Sequence, residues 1–133
     1  MASGPPFSWA HLGLVAAGGA IGTALRAAVL LWLPDTVPGV VVAGINVAGA
    51  FLLGLVTGAI LSRPDTARLR AARQVLGTGV LGGFTTYSTF ALDAVSGAAL
   101  WLTGATVVVG VVAAAAGLLL GRRRPAADAG ANA

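Results

Sequence analysis

"TVPGVVVAGINVAGAFLLGLVTGAILS", residues 36 to 62, contains no charged side chain. A membrane-crossing helix needs about 20 apolar residues to pass the ~30 Å hydrocarbon layer. This stretch is long enough, and similar ones run from 7 to 25 ahead of Arg26, from 74 to 92, and from 94 to 121. The 133-residue chain is 57% hydrophobic and 9% charged, with a mean hydropathy of +0.92. Such values lie outside the range of an ordinary soluble domain. The expectation is an all-α polytopic membrane protein with four transmembrane helices.

The spans are expected near Trp9–Leu33, Val37–Leu61, Leu69–Ser96 and Leu100–Gly121, forming one unit over residues 1–121. A basic and then disordered tail, 122–133, follows. Pro34 and Pro38 punctuate the first loop, Ser62 to Asp65 the second, and Ser96-Gly97 the third. The first span is too long for a signal peptide and lacks a basic leader and cleavage site, so it is expected to remain in the mature chain.

The chain contains no cysteine, which excludes disulfides and thiolate metal sites. His11 stands near the start of the first span, where an interfacial side chain is expected. A pI near 11.5 raises nucleic acid as a partner, but the arginines do not form a binding stripe. Arg63, Arg68, Arg70 and Arg73 lie in the second loop and its flank, and Arg122 to Arg124 follow the last span. Those regions share one side of a four-span chain, and the other two loops hold no Lys or Arg. The positive-inside rule then places both termini in the cytoplasm.

Arg26 lies within the first hydrophobic segment, where a charge facing lipid costs at least about 2.5 kcal/mol. Gly18, Gly22 and Arg26 recur at four-residue spacing, putting two glycines and the charge on one helix face. That favours an arginine facing protein or water, the alternative being one that snorkels to the outer interface. The small residues Gly54 and Gly58 in span two, and Thr103, Thr106, Gly110, Ala113, Gly117 and Gly121 in span four, read as close helix packing. Four short helices enclose little interior, so association with a second chain is expected.

Asn46 cannot satisfy its amide on its own helix, which leaves interhelical bonding or a polar pathway. "GGFTTYSTF", residues 82 to 90, gathers three threonines, a serine and three aromatics. Gly82-Gly83 is expected to weaken or break the third helix, freeing carbonyls that are tolerated at membrane depth only inside protein or along a cavity. Two carbonyls from each of two subunits would suit a hard cation. Thr85, Thr86, Ser88 and Thr89 offer hydroxyls with no carboxylate among them, while Tyr87 and Phe90 can present positive ring edges on one face. These groups favour an anion that is held without a fixed charge; the alternative is a broken helix packed by threonines and aromatics, with no permeant ion.

"GGFTTYSTF", with "GGAIGTALR" at 18–26 and "GINVAGAFLLG" at 44–54, resembles the signatures of the Fluc (CrcB) family of small bacterial fluoride channels, in order and spacing, up to Gly121. The resemblance implies a passive, fluoride-specific channel of the bacterial inner (plasma) membrane that exports cytoplasmic fluoride, and no enzyme. It implies an antiparallel dimer with two pores lined by both subunits and a structural sodium ion on the carbonyls of Gly82 and Thr85. Asn46, Tyr87 and Phe90 would flank the fluoride path, Thr86, Ser88, Thr89 and Thr106 would supply its hydroxyls, and Arg26 would attract anions at the pore mouth.

Two residues depart from the family pattern: Tyr87 stands where phenylalanine is usual, and Asp93 where glutamate is. A third departure is the charge bias, since self-pairing in antiparallel fashion needs insertion both ways. The expectation is pairing with an oppositely oriented homologous chain. A small multidrug/proton antiporter is the main rival, but that chemistry needs a membrane-embedded carboxylate, and span one has none. A non-transporting membrane scaffold is the other.

Overall fold

The computed structural model describes residues 8–33, 39–86 and 100–122. They are helical: α1 (Trp9–Trp32), α2 (Val40–Leu61), α3 (Ala67–Ala72), a π-helical stretch π1 (Arg73–Leu81), α4 (Gly82–Phe84) and α5 (Leu100–Arg122). Three of them, α1, α2 and α5, are long and apolar enough to cross a membrane. The protein is an all-helical, multi-pass membrane protein.

Local chemistry sets the helix ends. Ser8 accepts the amide of His11 at 3.5 Å, and Thr66 accepts that of Leu69 at 3.3 Å, each as an N-cap. Gly39 opens α2 with φ 81°, a left-handed conformation that glycine adopts without steric cost. At the far end of α2, the Ser62 hydroxyl donates to the Gly58 carbonyl at 2.8 Å.

α3, π1 and α4 follow one another without leaving right-handed helical geometry. In π1 the ladder widens, and the Gly82 amide reaches back five residues to the Gly77 carbonyl. Gly82 and Gly83, the expected point of weakening, are themselves helical, and the helix ends after Phe84, with Thr85 extended at φ −74°, ψ 157°. Packing explains the shift: a methyl on Gly83 would strike the Gly19 carbonyl of α1, so this backbone is held against its neighbour and the poor helix propensity of glycine is overridden. The expected remainder of the third span, from Tyr87 to Ser96, lies outside the described residues.

The helices pair by backbone approach. Gly18 and Gly79 face each other across α1 and π1, and a Cβ on Gly18 would lie 2.6 Å from the Val75 carbonyl and 3.0 Å from Gly79 Cα. A methyl on Gly22 would overlap the Val80 carbonyl. In the second pair, a methyl on Gly54 would overlap Ala114, one on Gly58 would overlap Leu118, and one on Gly117 would overlap Phe51. Contacts advance in the same direction along both partners, from Gly18–Val75 to Gly22–Val80 and from Gly54–Ala114 to Gly58–Leu118. Each pair is therefore parallel, as spans one and three, or two and four, of an alternating chain must be.

Few side chains are buried. Val42, Ile45 and Leu81 are the buried hydrophobic ones and Thr106 the buried polar one among the described residues. Leu31 and Trp32 are more than four-fifths exposed, a surface that suits lipid or a second chain.

Candidate functional site

Where the chain leaves α4, its backbone groups need partners other than the helical ladder, and water is scarce at that depth. Side chains from α1 and α2 supply them. Arg26 Nη1 donates to the Thr85 carbonyl at 3.0 Å. Asn46 uses both ends of its amide on Thr86: Nδ2 donates to the carbonyl at 3.0 Å, and Oδ1 accepts the backbone N–H at 2.9 Å. Thr23 Oγ1 donates to the Gly83 carbonyl at 3.4 Å. The segment 83–86 is thus held from two sides by an arginine, an amide and a hydroxyl.

Arg26 faces protein, the first of the two alternatives open in the sequence. It reaches Thr85 from the α1 side. On the opposite side, Asn46, Ala50, Thr85, Thr86, Thr106 and Gly110 line a cavity of about 390 Å³ between α2, α5 and the extended segment. A second groove of about 520 Å³ continues from Ala50 and Thr85 past Gly82, Thr78 and Thr57 to Arg73. Among the described residues, no carboxylate lines either space.

Small residues make the room. A methyl on Gly49 would overlap the Thr85 side chain, so the Asn46 face of α2 must be small three residues on for the segment to approach. Gly49, Ala50 and Gly110 did not stand out as site residues from sequence. The signal was the run of small residues at three- and four-residue spacing after Asn46.

The hydroxyls are partly committed. Thr106 Oγ1 donates to the Leu102 carbonyl at 2.7 Å, and Thr85 Oγ1 to the Leu81 carbonyl at 3.1 Å, the usual back-bonding of a threonine in a helix. An arriving anion would have to win those protons by hydroxyl rotation. Asn46 keeps a second Nδ2 hydrogen beyond the one given to Thr86. Of the other residues expected at the site, Tyr87, Ser88, Thr89 and Phe90, together with Asp93, lie outside the described residues.

The carbonyls of Gly82 and Thr85 fit a hard monovalent cation in type, being neutral oxygens. The Thr86 amide, which would close the next helical bond onto Gly82, goes to Asn46 instead. One lone pair of the Thr85 carbonyl is taken by Arg26 and one remains. In number, two oxygens from one chain are half of a four-oxygen set. No group of three or more His, Cys, Asp or Glu able to hold a metal occurs among the described residues.

The family model described as "CrcB-like protein, Camphor Resistance (CrcB)" matches residues 13–121. The chain belongs to the CrcB family. Among similar proteins is "Fluoride-specific ion channel FluC 2" of Leifsonia xyli, 46% identical over 118 residues, covering 81% of each chain. "Fluoride-specific ion channel FluC" of Agrobacterium fabrum is 40% identical over 124 residues, covering 84% of this chain and 96% of its own. A protein of the same name from Deinococcus radiodurans is 43% identical over 121 residues, covering 82% and 93% respectively. The matched region of this CrcB-family chain runs from Gly13 in α1 to Gly121 in α5, and so takes in every described residue of the site.

Proposed function

We propose that the chain is a subunit of a fluoride-specific ion channel that lets cytoplasmic fluoride leave the cell passively. The observation that carries this is the convergence of Asn46, Thr85, Thr86 and Thr106 on one cavity with no carboxylate among its described lining residues in a chain whose relatives are named as fluoride channels. A small anion can exchange water for amide and hydroxyl hydrogens there without meeting a fixed positive charge on the cavity wall, and weak, multiple contacts permit both entry and exit. Arg26 acts from behind the Thr85 carbonyl, making the local potential positive while staying off the path. Tyr87, Ser88, Thr89 and Phe90 would continue that path.

Hydrogen fluoride is a weak acid that enters uncharged and dissociates inside. Fluoride then gains about 2.3 kcal/mol per 100 mV on leaving an interior-negative cell, so a pore suffices. No carboxylate among the described residues lines the cavity, whereas proton-coupled antiport needs one within the membrane.

The working unit in this reading is an antiparallel dimer with a third span interrupted beyond Phe84. Gly82 and Thr85 of both subunits would hold a structural sodium ion, which supplies a fixed central charge tying the two interrupted helices together. The chain lies in the bacterial inner membrane with both termini cytoplasmic. Its one-sided arginines support pairing with an oppositely oriented homologue over pairing with itself.

The test is purified chain in valinomycin-treated liposomes, with fluoride and chloride followed by ion-selective electrodes. Fast fluoride release with little chloride is expected once an oppositely biased homologue is co-expressed. Release without a partner would remove the two-chain reading and keep the channel. No fluoride release in either case would remove the channel.

A further inference from the structure

The second loop carries a further pocket that shares only Arg73 with the groove described above. Leu61 ends α2, Thr66 caps α3, and between them a cavity of about 370 Å³ opens, lined by Arg63, Arg70, Arg73, Asp65 and Gln74 on its polar side and by Ile60, Leu61 and Leu69 on its apolar side. Asp65 is committed to Arg70 at 2.7 Å. Arg63 and Arg73 form no ion pair among the described residues. Three arginines against one aspartate leave the cavity positive.

Gln74 adds a second requirement. Its Oε1 is sealed from solvent and accepts no hydrogen bond from the described residues. A buried acceptor without a donor costs roughly 1–3 kcal/mol, so the cavity lacks a hydrogen as well as a negative charge. Solvated arginines alone would explain the charge, but not a buried amide oxygen beside them.

The apolar wall gives the location. Ile60 and Leu61 lie at the end of the spanning helix α2, with Leu61 about half exposed and Leu69 of α3 lining the same cavity, where the hydrocarbon layer gives way to headgroups. Basic pockets at that level suit phospholipid headgroups. We infer that this cavity binds a phosphate ester bearing a free hydroxyl, in the form of a phosphatidylglycerol-type lipid: Arg63 and Arg73 hold the phosphate, the Gln74 side chain turns its sealed Oε1 into the cavity to accept a glycerol hydroxyl, and the acyl chains descend along Leu61 and Leu69. The inference is independent of which ion the chain conducts.

The test is native mass spectrometry of the full chain in mild detergent with phosphatidylglycerol, phosphatidic acid or phosphatidylcholine added. One phosphatidylglycerol per chain should be retained roughly tenfold more strongly than phosphatidylcholine, on charge-assisted bonds from two arginines. The double variant Arg63→Gln/Arg73→Gln should lose that preference, and each single variant part of it, with size-exclusion profiles reporting folding. Gln74→Met should keep the preference for anionic lipid but erase that for phosphatidylglycerol over phosphatidic acid, whose headgroup has no glycerol hydroxyl. Arg68→Gln, beside the cavity but not lining it, should change nothing. Equal retention of phosphatidylcholine, or an equal loss in Arg68→Gln, would overturn the site in favour of diffuse charge attraction. Displacement of the lipid by an equal concentration of soluble glycerol phosphate would overturn the membrane source and make the ligand a free phosphate ester.

Discussion

Asn46 does two jobs with one amide, and its substitutions separate them. In Asn46→Leu, the Thr86 amide and carbonyl both lose the Asn46 hydrogen bonds, and a buried polar group deprived of such a bond costs about 1–3 kcal/mol. Less folded protein and fluoride release at least about tenfold slower are expected in liposomes. Asn46→Asp can still accept the Thr86 amide, but it loses the donor to the Thr86 carbonyl and puts a carboxylate on the cavity wall, so a partial loss of thermal stability with abolished flux is expected. Arg26→Leu strips the donor from the Thr85 carbonyl and should lower the melting temperature in detergent, with Arg26→Lys recovering much of the loss. That Asn46 needed a partner was legible from the sequence, because an amide in a membrane helix cannot satisfy itself. Its partner was not, since nothing local to Asn46 says that a backbone forty residues away will leave its helix beside it.

The elements depend on glycine in two distinct ways. Gly22 carries no Cβ because the Val80 carbonyl occupies that place, whereas Gly13, Gly44 and Gly104 would meet nothing within 4 Å. Gly22→Val is therefore expected to separate α1 from π1 and abolish recovery of folded protein. Gly13→Ala should be neutral or raise stability by up to about 1 kcal/mol through helix propensity, read from thermal unfolding in detergent. The hydrophobic stretches made the helices themselves legible. The π1 stretch was not, because its wider ladder has no period of its own in Gln74 to Leu81 and follows from how tightly α1 presses on Gly79. The end of the helix at Thr85 was hidden for the same reason: glycine's local weakness at 82 and 83 is outweighed by a contact with Gly19.

At the scale of the molecule, the arginines and the open helix faces make linked predictions. A C-terminal topology reporter should give signal from the cytoplasm alone; substantial signal from both sides would remove the need for a second chain. Gly44 and Gly104 meet nothing within 4 Å among the described residues, so Gly44→Leu and Gly104→Leu should leave recovery of the single chain unchanged. If either blocks co-purification with an oppositely biased homologue, that face belongs to the subunit interface. The sequence makes association an expectation, since four short helices cannot enclose much, but which faces would meet depends on shape and not on composition.

The parallel pairing of α1 with π1 also bears on how the protein is made. Arg26 and its acceptor Thr85 are separated by 59 residues, and a ribosome adding ~5–20 residues per second leaves the arginine waiting roughly 3–12 s for that carbonyl to emerge. During that interval span one must remain beside the insertion machinery or near headgroups, because a lone guanidinium is poorly tolerated in lipid. The glycine stripe that later receives π1 is exposed for as long. A chain severed in the second loop would thus yield two halves that each lack their packing partners, and biogenesis of this small protein is committed only after its third segment has left the ribosome.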